Sequence, residues 1–449
     1  MIIPLLLSSI TLSLSNPNNI AITDAPICLT IPKKIQAEVK SATVMVDDQE
    51  IPCQLDDLDG NGIYDEIVFL VDFEPQDKRR AEITYSEEVV AENRYPARVH
   101  AQMWFKDNDK TKSYLEKKHI PTDSVSEVVD NMYSKMMHHG PAFENEMVAY
   151  RVYFDKKQST DLYGKRKHQL ELAEGLWYSS EVPELVKNRQ FGDDIIMVGQ
   201  TVSLGALRGW DDSLDDPNYE LNEPNSKKKD PCLLMIEPFA WRQAQIVSKG
   251  PLRTIVDMNV KGWEYKGRII NVKSRYILYA GTRECEVTHF FEAADEGNKS
   301  LSDLEFVTGV MKVGIFNTDS THLAGKRYFQ NKAGLCGSFG KDWPDGNRKL
   351  YPCMQSAGLA VNIPNQYVTR LIDRREQILY GIHPDRRNRI QYRMAFCAPD
   401  KEGTDFVSEP WTYSSWVNWC NLWSRIKPIA VRRFLSDYTD DNDLGVIVH

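Results

Sequence analysis

The chain has 449 residues and a formal net charge of −9, from 55 Lys and Arg against 64 Asp and Glu. Its length exceeds what one hydrophobic core usually supports, so the sequence predicts a second domain or a very large sheet system. Because an acidic chain with one short basic run, residues 227–229, offers little to a phosphate backbone, no nucleic-acid partner is expected. No apolar run reaches the ~20 residues of a membrane span, so no integral membrane span is expected.

The N-terminal residues 1–9 are apolar enough for the core of a signal peptide, although no Lys or Arg precedes that core. Apolar and polar residues alternate over 10–16 and predict a first β-strand that ends in an Asn-Pro turn. We interpret residues 1–9 as a residual export signal or N-terminal extension; the alternative is that they only lengthen the first strand. Export to the periplasm or the cell surface is therefore expected.

Residues 10–95 consist of short alternating runs separated by Asn-Pro, Asp-Gly and Pro-Gln turns, which predict a small N-terminal β-sandwich or an added sheet. Residues 96–449 are predicted to form the second domain. A helix is predicted early in that domain, over about residues 124–132. Ser124 and Glu127 have the spacing of a capping box there, and apolar residues follow at helical spacing.

From residue 148 onward, β-patterned runs recur with few helical periods between them, and they predict a large antiparallel sandwich. Near the end of the chain, Trp416, Trp419, Cys420 and Trp423 lie at i, i+3, i+4 and i+7. This spacing predicts one face of a helix that packs its Trp stripe on the sheet. The eight cysteines show no zinc-binding spacing, and buried free thiols explain them at least as well as disulfides.

The segment 57–66 reads DLDGNGIYDE and places oxygen side chains at alternate positions around two glycines. This pattern can wrap a hard cation, so a structural Ca²⁺ is the one cofactor expected. Val68 occupies the twelfth position, where a true EF-hand has Glu, and a metal-free turn is the alternative. The candidate metal ligands are Asp57, Asp59, Asn61 and Asp65.

Titratable and aromatic side chains are concentrated between residues 138 and 165. Two histidines precede a Gly-Pro turn, which would hold them at a loop rim, and a strand that begins near residue 148 carries polar side chains on one face by its period of two. Such a face is either a structural network or the lining of a cleft, and the convergence of these groups favours a cleft. The candidate catalytic residues are His138, His139, Glu144, Arg151, Tyr153, Asp155 and Lys165.

Three later positions add weaker candidates. Residues 192–194 read Gly-Asp-Asp, and adjacent carboxylates can act as a general acid or a metal ligand, although more commonly they cap a turn. Asp193 is the catalytic candidate in that segment. Trp210 beside Arg208, and Trp343 beside Asp342, combine an aromatic ring with a charge and could stack on a sugar ring. The candidate substrate-binding residues are Trp210, Arg208 and Trp343.

Together these motifs resemble an uncharacterised domain-of-unknown-function family of exported bacterial proteins, whose members often accompany polysaccharide-degradation genes. The segments that carry the resemblance are HHGPAFENE at 138–146, YRVYFD at 150–155, DLYGK at 161–165, GDD at 192–194 and GALRGW at 205–210. The stretch 250–291 also resembles the supersandwich of galactose mutarotase-like proteins. The resemblance implies a mainly β fold with a large antiparallel β-supersandwich, export and a carbohydrate context, and it assigns no catalytic residue.

The leading hypothesis is a carbohydrate-active enzyme that cleaves an acidic, uronate-containing oligo- or polysaccharide. In a polysaccharide lyase, Arg151 or Lys165 would neutralise the uronate carboxylate, and His139 or Tyr153 would move the proton. A glycoside hydrolase would instead require two carboxylates. The candidates for them are Glu144, Asp155, Asp193 and Asp194.

Two other classes stay open. A non-catalytic glycan-binding accessory protein would present an open aromatic shelf, whereas an enzyme would enclose its polar groups in a pocket. A mutarotase-type epimerase would require an acid and a base on opposite sides of one sugar ring. No organic cofactor is expected, because the sequence has no P-loop and no dinucleotide fingerprint after a strand. The sequence does not fix the oligomeric state.

Overall fold

The computed structural model describes residues 6–90, 94–113, 116–165, 167–174, 192–294, 300–316, 327–343, 354–398 and 411–433. Every strand pair in these residues is antiparallel, and the strands form two packed units. The first unit is a small sandwich of a three-stranded and a five-stranded sheet. Its strands are β1 (Leu6–Ser15), β2 (Ile22–Thr30), β3 (Ser41–Val46), β4 (Gln49–Ile51), β5 (Cys53–Asp56), β6 (Glu66–Phe73), β7 (Lys78–Ser86) and β29 (Ala430–Arg433).

The sandwich follows from strict alternation in its strands. Ile10, Leu12 and Leu14 of β1 are buried in its core, and the residues between them are half-buried. The five-stranded sheet has the order β29-β1-β7-β3-β4, and the facing sheet has the order β2-β6-β5. Residues 6–9, which the sequence assigns to a signal or an extension, lie in β1, and the last strand of the sheet comes from residues 430–433.

The second unit is built on a nine-stranded sheet with the order β11-β18-β19-β20-β21-β28-β25-β24-β23. Long hairpins dominate it, because β19, β20 and β21 are successive and pair along most of their length. Its strands are β11 (Ser124–Glu127), β18 (Trp241–Lys249), β19 (Arg253–Tyr265), β20 (Arg268–Tyr279), β21 (Glu284–Ala293), β23 (Tyr328–Gln330), β24 (Leu335–Asp342), β25 (Gln355–Asn362) and β28 (Arg389–Cys397).

Two five-stranded sheets share one large apolar core with the nine-stranded sheet. The first has the order β15-β14-β13-β12-β8, and the second has the order β17-β16-β22-β27-β26. Their strands are β8 (Val99–Gln102), β12 (Ala142–Asn145), β13 (Ala149–Val152), β14 (Thr160–Gly164), β15 (Asp193–Asp194), β16 (Arg208–Trp210), β17 (Leu233–Leu234), β22 (Phe306–Met311), β26 (Val368–Asp373) and β27 (Gln377–Ile382). A two-stranded hairpin joins β9 (Trp104–Phe105) to β10 (Ile120–Pro121).

The described residues contain few helices, and most are a single turn. They are α1 (Lys33–Gln36), α2 (Glu171–Glu174), α3 (Pro217–Leu221) and α4 (Tyr413–Trp423). The predicted class, a mainly β protein with a large antiparallel supersandwich, a small N-terminal sandwich and few helices, is confirmed. Within the described residues, no helix has the length and apolarity to cross a membrane.

The helix predicted from the Trp spacing is confirmed as α4. Thr412 caps its first turn, since its hydroxyl accepts a hydrogen bond from the Ser415 N–H at 3.2 Å. Trp416, Cys420 and Trp423 are buried against strands of the nine-stranded sheet, whereas Trp419 remains half-buried. The stripe therefore serves as core packing.

The helix predicted over residues 124–132 is wrong, because residues 124–127 form β11 at the edge of the nine-stranded sheet. Burial in that segment follows a period of two: Val125 and Glu127 are buried, and the two serines are exposed. Glu127 faces inward because its carboxylate pairs with the buried Arg242 guanidinium at 3.0 Å. Tertiary pairing therefore overrides the local capping pattern.

The seven cysteines that the structure describes are all free and buried; Cys353 lies outside the described residues. The interpretation of the cysteines as buried free thiols therefore holds for these seven residues.

A buried arginine contributes two ion pairs to the contact between the two units. Arg253, the first residue of β19, donates from Nε to Asp56 Oδ2 and from Nη2 to Glu66 Oε2, both at 2.8 Å. The acids lie where β5 ends and β6 begins, so the ion pairs cross from the supersandwich to the N-terminal sandwich. Gln54 adds backbone contacts to the same segment, since its amide oxygen accepts the Arg253 N–H at 3.0 Å.

Replacing Arg253 with Met is expected to lower the free energy of unfolding by about 3–5 kcal/mol, because two buried carboxylates would lose their counter-charge. Urea unfolding followed by intrinsic fluorescence measures the change. The matched control is Arg79→Met, which removes a solvent-exposed ion pair to Asp47 and is expected to cost about 1 kcal/mol or less. Equal losses in the two variants would contradict the assigned role of Arg253.

Candidate active site

The sheet of β8, β12, β13, β14 and β15 has one apolar and one polar face. Phe143, Tyr150 and Leu162 point into the large core. On the opposite face, Arg151 lies directly across from Asp161, and Tyr163 lies directly across from Asp194. We call this opposite side the polar face; its members are His100, Gln102, Glu144, Arg151, Asp161, Tyr163 and Asp194. The period of two thus separates a packing surface from a charged one.

Arg151 is the centre of the polar face, and it is buried. Its Nη2 donates to Asp161 Oδ2 at 2.5 Å and to Asp194 Oδ2 at 2.7 Å, so one nitrogen bridges two carboxyls. Its Nη1 donates to the Tyr163 hydroxyl at 2.9 Å, and Tyr153 donates its own hydroxyl proton to the same Asp161 oxygen. Asp161 therefore supplies the charge that balances Arg151, and Asp194 is a second acid in the same environment.

Asp194 has the environment of a protonated carboxyl group. Burial and the neighbouring Asp161 carboxylate hold the pKa of Asp194 well above its ordinary value. Its Oδ2 contacts Arg151, whereas its buried Oδ1 has no hydrogen-bond partner. A carboxyl group whose pKa is raised by its surroundings is suited to donate a proton in an acid–base site.

A third acid approaches from the nine-stranded sheet. Asp342 ends β24, and its carboxyl accepts the backbone N–H of Met197 at 3.1 Å and of Trp343 at 2.8 Å. Burial raises the pKa of Asp342 to about 7, and the Asp161 carboxylate contributes in the same direction. Because Met197 follows Asp194 by three residues, the segment 194–197 connects the two acids of raised pKa.

The two histidines occupy different environments. His138 is fully buried; its Nδ1 lies 2.8 Å from the Tyr163 hydroxyl, and its Nε2 lies 3.0 Å from the Gln102 amide. His139 is half-buried, and its ring stacks on Tyr133 at a centroid distance of 4.1 Å. The expectation that both histidines lie at a loop rim therefore holds for His139 alone.

Both imidazoles are neutral at physiological pH. Burial, reinforced by the Arg151 charge, lowers the pKa of His139 to about 3 and holds the pKa of His138 well below its usual range. The Nδ1–H of neutral His139 donates to the Tyr133 carbonyl at 3.0 Å, so Nε2 is the acceptor nitrogen.

The backbone that carries the histidines is strained. His138 and His139 have φ of 55° and 59°, in the left-handed region where non-glycine residues cost about 1–3 kcal/mol each. The next residue must be glycine, because a Cβ on Gly140 would lie 2.1 Å from the Val152 carbonyl oxygen. This close approach presses the histidine turn against the end of β13.

Glu144 and Lys165 form a sealed pair at the other end of the polar face. Lys165 Nζ donates to Glu144 Oε2 at 2.5 Å and to the Asn145 carbonyl at 2.6 Å, and neither side chain is exposed. The first turn of α2 completes the shell, since the Glu171 N–H donates to Glu144 at 2.9 Å. Burial raises the pKa of Glu144 to about 7 although Lys165 opposes the shift. Lys165 is therefore committed to a partner inside the protein.

Two predicted acids do not reach the centre of the polar face. Asp155 caps the turn after β13, where its Oδ1 accepts the N–H of Lys157 at 2.8 Å and of Gln158 at 3.1 Å. Asp193 points to the other side of its strand by alternation, and its Oδ1 accepts the Asp194 N–H at 2.8 Å. Asp194, the neighbour of the predicted Asp193, is the acid that contacts Arg151.

The three predicted substrate-binding residues lie apart from the centre of the polar face. Trp210 is buried, and its indole Nε1 donates to Asp212 at 2.8 Å. Arg208 is buried and donates to the Ser159 hydroxyl at 2.8 Å. Trp343 is half-buried and follows Asp342 directly. Since Trp210 presents no open ring, stacking on a sugar is disfavoured there.

The Asp57 loop joins β5 to β6, away from the polar face. Ligand oxygens of Asp57, Asp59 and Asp65 lie within 4.8 Å of one another, which is close enough to share one cation. The same carboxylates also order the loop by themselves, since Asp57 accepts the N–H of Gly60 and of Gly62, each at 2.7 Å. The Asn61 amide oxygen accepts the Ile63 N–H at 2.8 Å. Calcium at this loop stays a prediction.

Sequence reasoning did not select Asp161, Tyr163 and Asp342 as site residues. A signal for the first two was present, because Asp161, Tyr163 and the predicted Lys165 alternate along one strand. Pairing that strand with β13 through the turn at residues 155–158 would have placed Asp161 opposite Arg151. Asp342 was noted in the sequence only as the charge beside Trp343, because it joins the site through tertiary packing of a distant strand.

The family model described as Domain of unknown function (DUF4861) matches residues 14–417 of the sequence. The chain belongs to the DUF4861 family. No curated protein matches the sequence of this DUF4861 protein.

Solved structures with a related arrangement include a glycosyl hydrolase family 38 protein from Enterococcus faecalis, with 7% identity and a TM-score of 0.44, over 98% of this chain and 49% of that one. An alpha-mannosidase from the same organism has 8% identity and a TM-score of 0.40, over 98% and 47%. The DUF4861 chain therefore spans about half the length of these two proteins. A putative aldose 1-epimerase from Klebsiella pneumoniae has 10% identity and a TM-score of 0.28, over 67% and 95%.

Calcium is expected to raise the melting temperature of chelator-treated protein, because a cation would neutralise three carboxylates that already converge. At a calcium concentration 100 times the dissociation constant, the stabilisation is about 3 kcal/mol. Differential scanning fluorimetry with a calcium titration measures it. Asp59→Asn should abolish the response, whereas Asp48→Asn, an exposed position outside the loop, should retain it; no calcium response in the unmodified protein would refute the site.

Proposed function

We propose that this DUF4861 protein is a carbohydrate-active enzyme that cleaves glycosidic bonds of an acidic oligo- or polysaccharide by general acid–base catalysis. The observation that carries the proposal is the Arg151 guanidinium between Asp161 and Asp194, with the buried Asp194 Oδ1 unpaired. Asp194 acts as the general acid, and Asp342 acts as the general base. Asp161 and Tyr153 position Arg151 and fix the charge around the two acids.

The division of roles rests on the surroundings of the two carboxyls. Asp194 is buried beside another carboxyl group, which raises its pKa well above the ordinary value and suits it to protonate a leaving oxygen. Asp342 accepts hydrogen bonds from the backbone N–H groups of Met197 and Trp343 and has a pKa of about 7, which suits a base near physiological pH. Hydrolysis needs such a pair of acids; Asp194 belongs to the polar face, and Asp342 comes from the end of β24.

Elimination from a uronate is the second candidate. His139 is the candidate base for it, because Nε2 of this half-buried imidazole is an acceptor, but a pKa of about 3 makes it a weak base. The cations assigned to the uronate carboxylate weigh against it: Arg151 is paired with two acids, and Lys165 is paired with Glu144. Hydrolysis is therefore the preferred chemistry within the same glycan-cleaving proposal.

Export to the periplasm or cell surface is part of the proposal, since a polysaccharide substrate is met outside the cytoplasm. Its sequence basis is the apolar character of residues 1–9, of which residues 6–9 belong to β1. Fractionation of cells that express the full chain tests it, and retention of the protein in the cytoplasmic fraction would refute this part.

Incubation with a panel of uronate-containing and neutral glycans is expected to produce new reducing ends without a rise in ultraviolet absorbance. Hydrolysis creates no conjugated double bond, whereas elimination creates one. A parallel rise in absorbance would assign the lyase chemistry instead. Binding without new ends, measured by calorimetry on the same panel, would identify an accessory protein, and interconversion of anomers without cleavage would identify an epimerase.

Asp194→Asn is expected to lower kcat on the responsive glycan by about 10²–10⁴-fold, because the amide cannot donate the proton. Asp303→Asn, at a solvent-exposed position, is the control and should retain the activity of the unmodified enzyme. Circular dichroism establishes that both variants are folded. Full activity in folded Asp194→Asn would contradict the assigned acid.

The pH dependence of kcat/KM is expected to be bell-shaped. Asp342 works as a base only when it is deprotonated, so kcat/KM should fall about tenfold per unit as the pH drops below about 7. Asp194 must be protonated, and its raised pKa delays the opposing decline to higher pH. Initial rates across the pH range measure the profile, and a maximum near pH 4 would contradict the assignment of Asp342.

A further inference from the structure

The two cations that the sequence assigns to an acidic sugar are both paired inside the protein. Arg151 donates to Asp161 at 2.5 Å and to Asp194 at 2.7 Å. Lys165 donates to Glu144 at 2.5 Å, and neither side chain of that pair is exposed. An acidic substrate, as proposed above, therefore requires another cation to meet its negative group.

Lys157 is a half-buried lysine whose ammonium group makes no hydrogen bond with any residue that the structure describes. Its ion pair with Asp155 is long, with Nζ 3.8 Å from Oδ2. The Asp155 charge also acts on the buried Arg208, where it opposes the effect of burial on the pKa of the guanidinium. Two cations thus share one carboxylate, and positive charge is in excess among these three groups.

The Lys157 ammonium lies against a cluster of aromatic rings at the edge of the polar face. Its Nζ is 5.3 Å from the centroid of the Tyr153 ring and 6.0 Å from that of Tyr133, which is the range of cation–π contacts. Tyr133 stacks on His139 at a centroid distance of 4.1 Å, and Tyr153 meets both rings edge-on at 5.3 and 6.1 Å. We call Tyr133, His139, Tyr153 and Lys157 the rim cluster.

The rim cluster is connected to the centre of the polar face through Tyr153. The Tyr153 hydroxyl donates to Asp161, and Arg151 Cζ lies 5.1 Å from the centroid of the Tyr153 ring. Lys157 and Arg151 therefore contact the same ring, so the ammonium lies one phenol ring away from the guanidinium that holds Asp194. Three of the four members of the rim cluster are half-buried, so the cluster reaches solvent.

The surroundings of His139 are cationic. Burial lowers the pKa of this imidazole to about 3, and the positive charges of Arg151, Lys106 and Lys157 act in the same direction. Lys106 belongs to the same edge, since its backbone N–H donates to the Lys135 carbonyl at 2.8 Å. A surface that combines positive charge with aromatic rings suits a ligand that has an anionic group and an apolar ring face, and a sugar acid has both.

We propose that Lys157 is the specificity-determining residue that binds the anionic substituent of the substrate sugar, beside the aromatic rings of the rim cluster. The substituent is a carboxylate or a sulfate ester, because both accept hydrogen bonds from an ammonium group. An ammonium has three donors, so Lys157 can bind the substituent while Asp155 stays beside it. The proposal rests on the proposed function for the sugar nature of the ligand, and it adds the residue that selects an acidic one.

Binding is measured by calorimetry on the unmodified full chain, with sugars that differ only in charge. Oligosaccharides of galacturonate, glucuronate and mannuronate are each compared with their neutral methyl esters, and sulfated galactose oligosaccharides are compared with their desulfated forms. In at least one pair, the acidic member is expected to bind about tenfold tighter or more. The pair that responds separates carboxylate from sulfate recognition. Equal affinity within every pair, or no binding to any acidic member, overturns the proposal.

Substitution of two adjacent lysines assigns the charge effect. Lys157→Met is expected to weaken binding of the acidic member by about tenfold and to change that of the neutral member less than about twofold. Lys156→Met is the matched control, because this side chain is 43% exposed and pairs with Glu237 at 3.1 Å; it should retain both affinities. Lys157→Arg keeps the charge and should restore most of the preference. Equal losses for both sugars, or equal effects of Lys157→Met and Lys156→Met, contradict the assigned role.

If Lys157→Met fails to fold, Asp155→Asn decides. The amide can still cap the turn, but it no longer attracts the ammonium group, so binding of the acidic member should become tighter. Unchanged or weaker binding in folded Asp155→Asn overturns the assignment.

The outcomes separate this proposal from the proposed enzyme. On a glycan that is cleaved, Lys157→Met should raise KM about tenfold with kcat nearly unchanged, because binding rather than chemistry is lost. Cleavage without preference for the acidic member refutes the role of Lys157 and leaves the enzyme. Charge-selective binding that depends on Lys157, without cleavage by the unmodified protein, refutes the enzyme and leaves the binding site.

Discussion

A guanidinium that is removed from water has to meet its counter-charge inside the protein, and the polar face is arranged around that requirement at Arg151. The charge is balanced by Asp161 directly across the β13–β14 pair, and the same Arg151 nitrogen donates a second hydrogen bond to Asp194 on the next strand. A slip of one residue between these strands would turn the acids to the apolar side and leave the arginine alone. The ion pairs of Arg151 thus help to fix the register of β13, β14 and β15, which are short and share few backbone hydrogen bonds.

Most of the architecture could be predicted from the sequence, because apolar residues recur with a period of two in the strands and of 3.6 in the helix. The strands of the sandwich, the long hairpins of the nine-stranded sheet and the helix of Trp416 all carry these periods on their own residues. The site was only partly accessible. Arg151 and Tyr153 were identified on a polar strand, but Asp161 requires the hairpin register, and Asp342 requires knowledge of which distant strand packs nearby.

The failures have one physical origin. The segment at Ser124 has a helical capping pattern, yet Glu127 becomes a strand residue because Arg242 needs its carboxylate in the core. Trp210 lies beside an arginine, as sugar-stacking tryptophans can, yet it is buried in a packed hydrophobic cluster. In each case, contacts with residues far along the chain determine the structure against the preference of the local sequence. Such contacts cannot be recognised from neighbouring residues alone.

The pairing of β29 with β1 has a consequence for how the protein is made. Residues 12–15 bond to residues 430–433, so one edge of the N-terminal sheet is covered only by the far end of the described chain. During synthesis the ribosome releases β1 long before its edge partner, and that edge is exposed to other chains in the interval. The N-terminal sheet thus depends on a strand that is synthesised more than 400 residues after β1, and loss of β29 would expose the β1 edge to pairing with other chains.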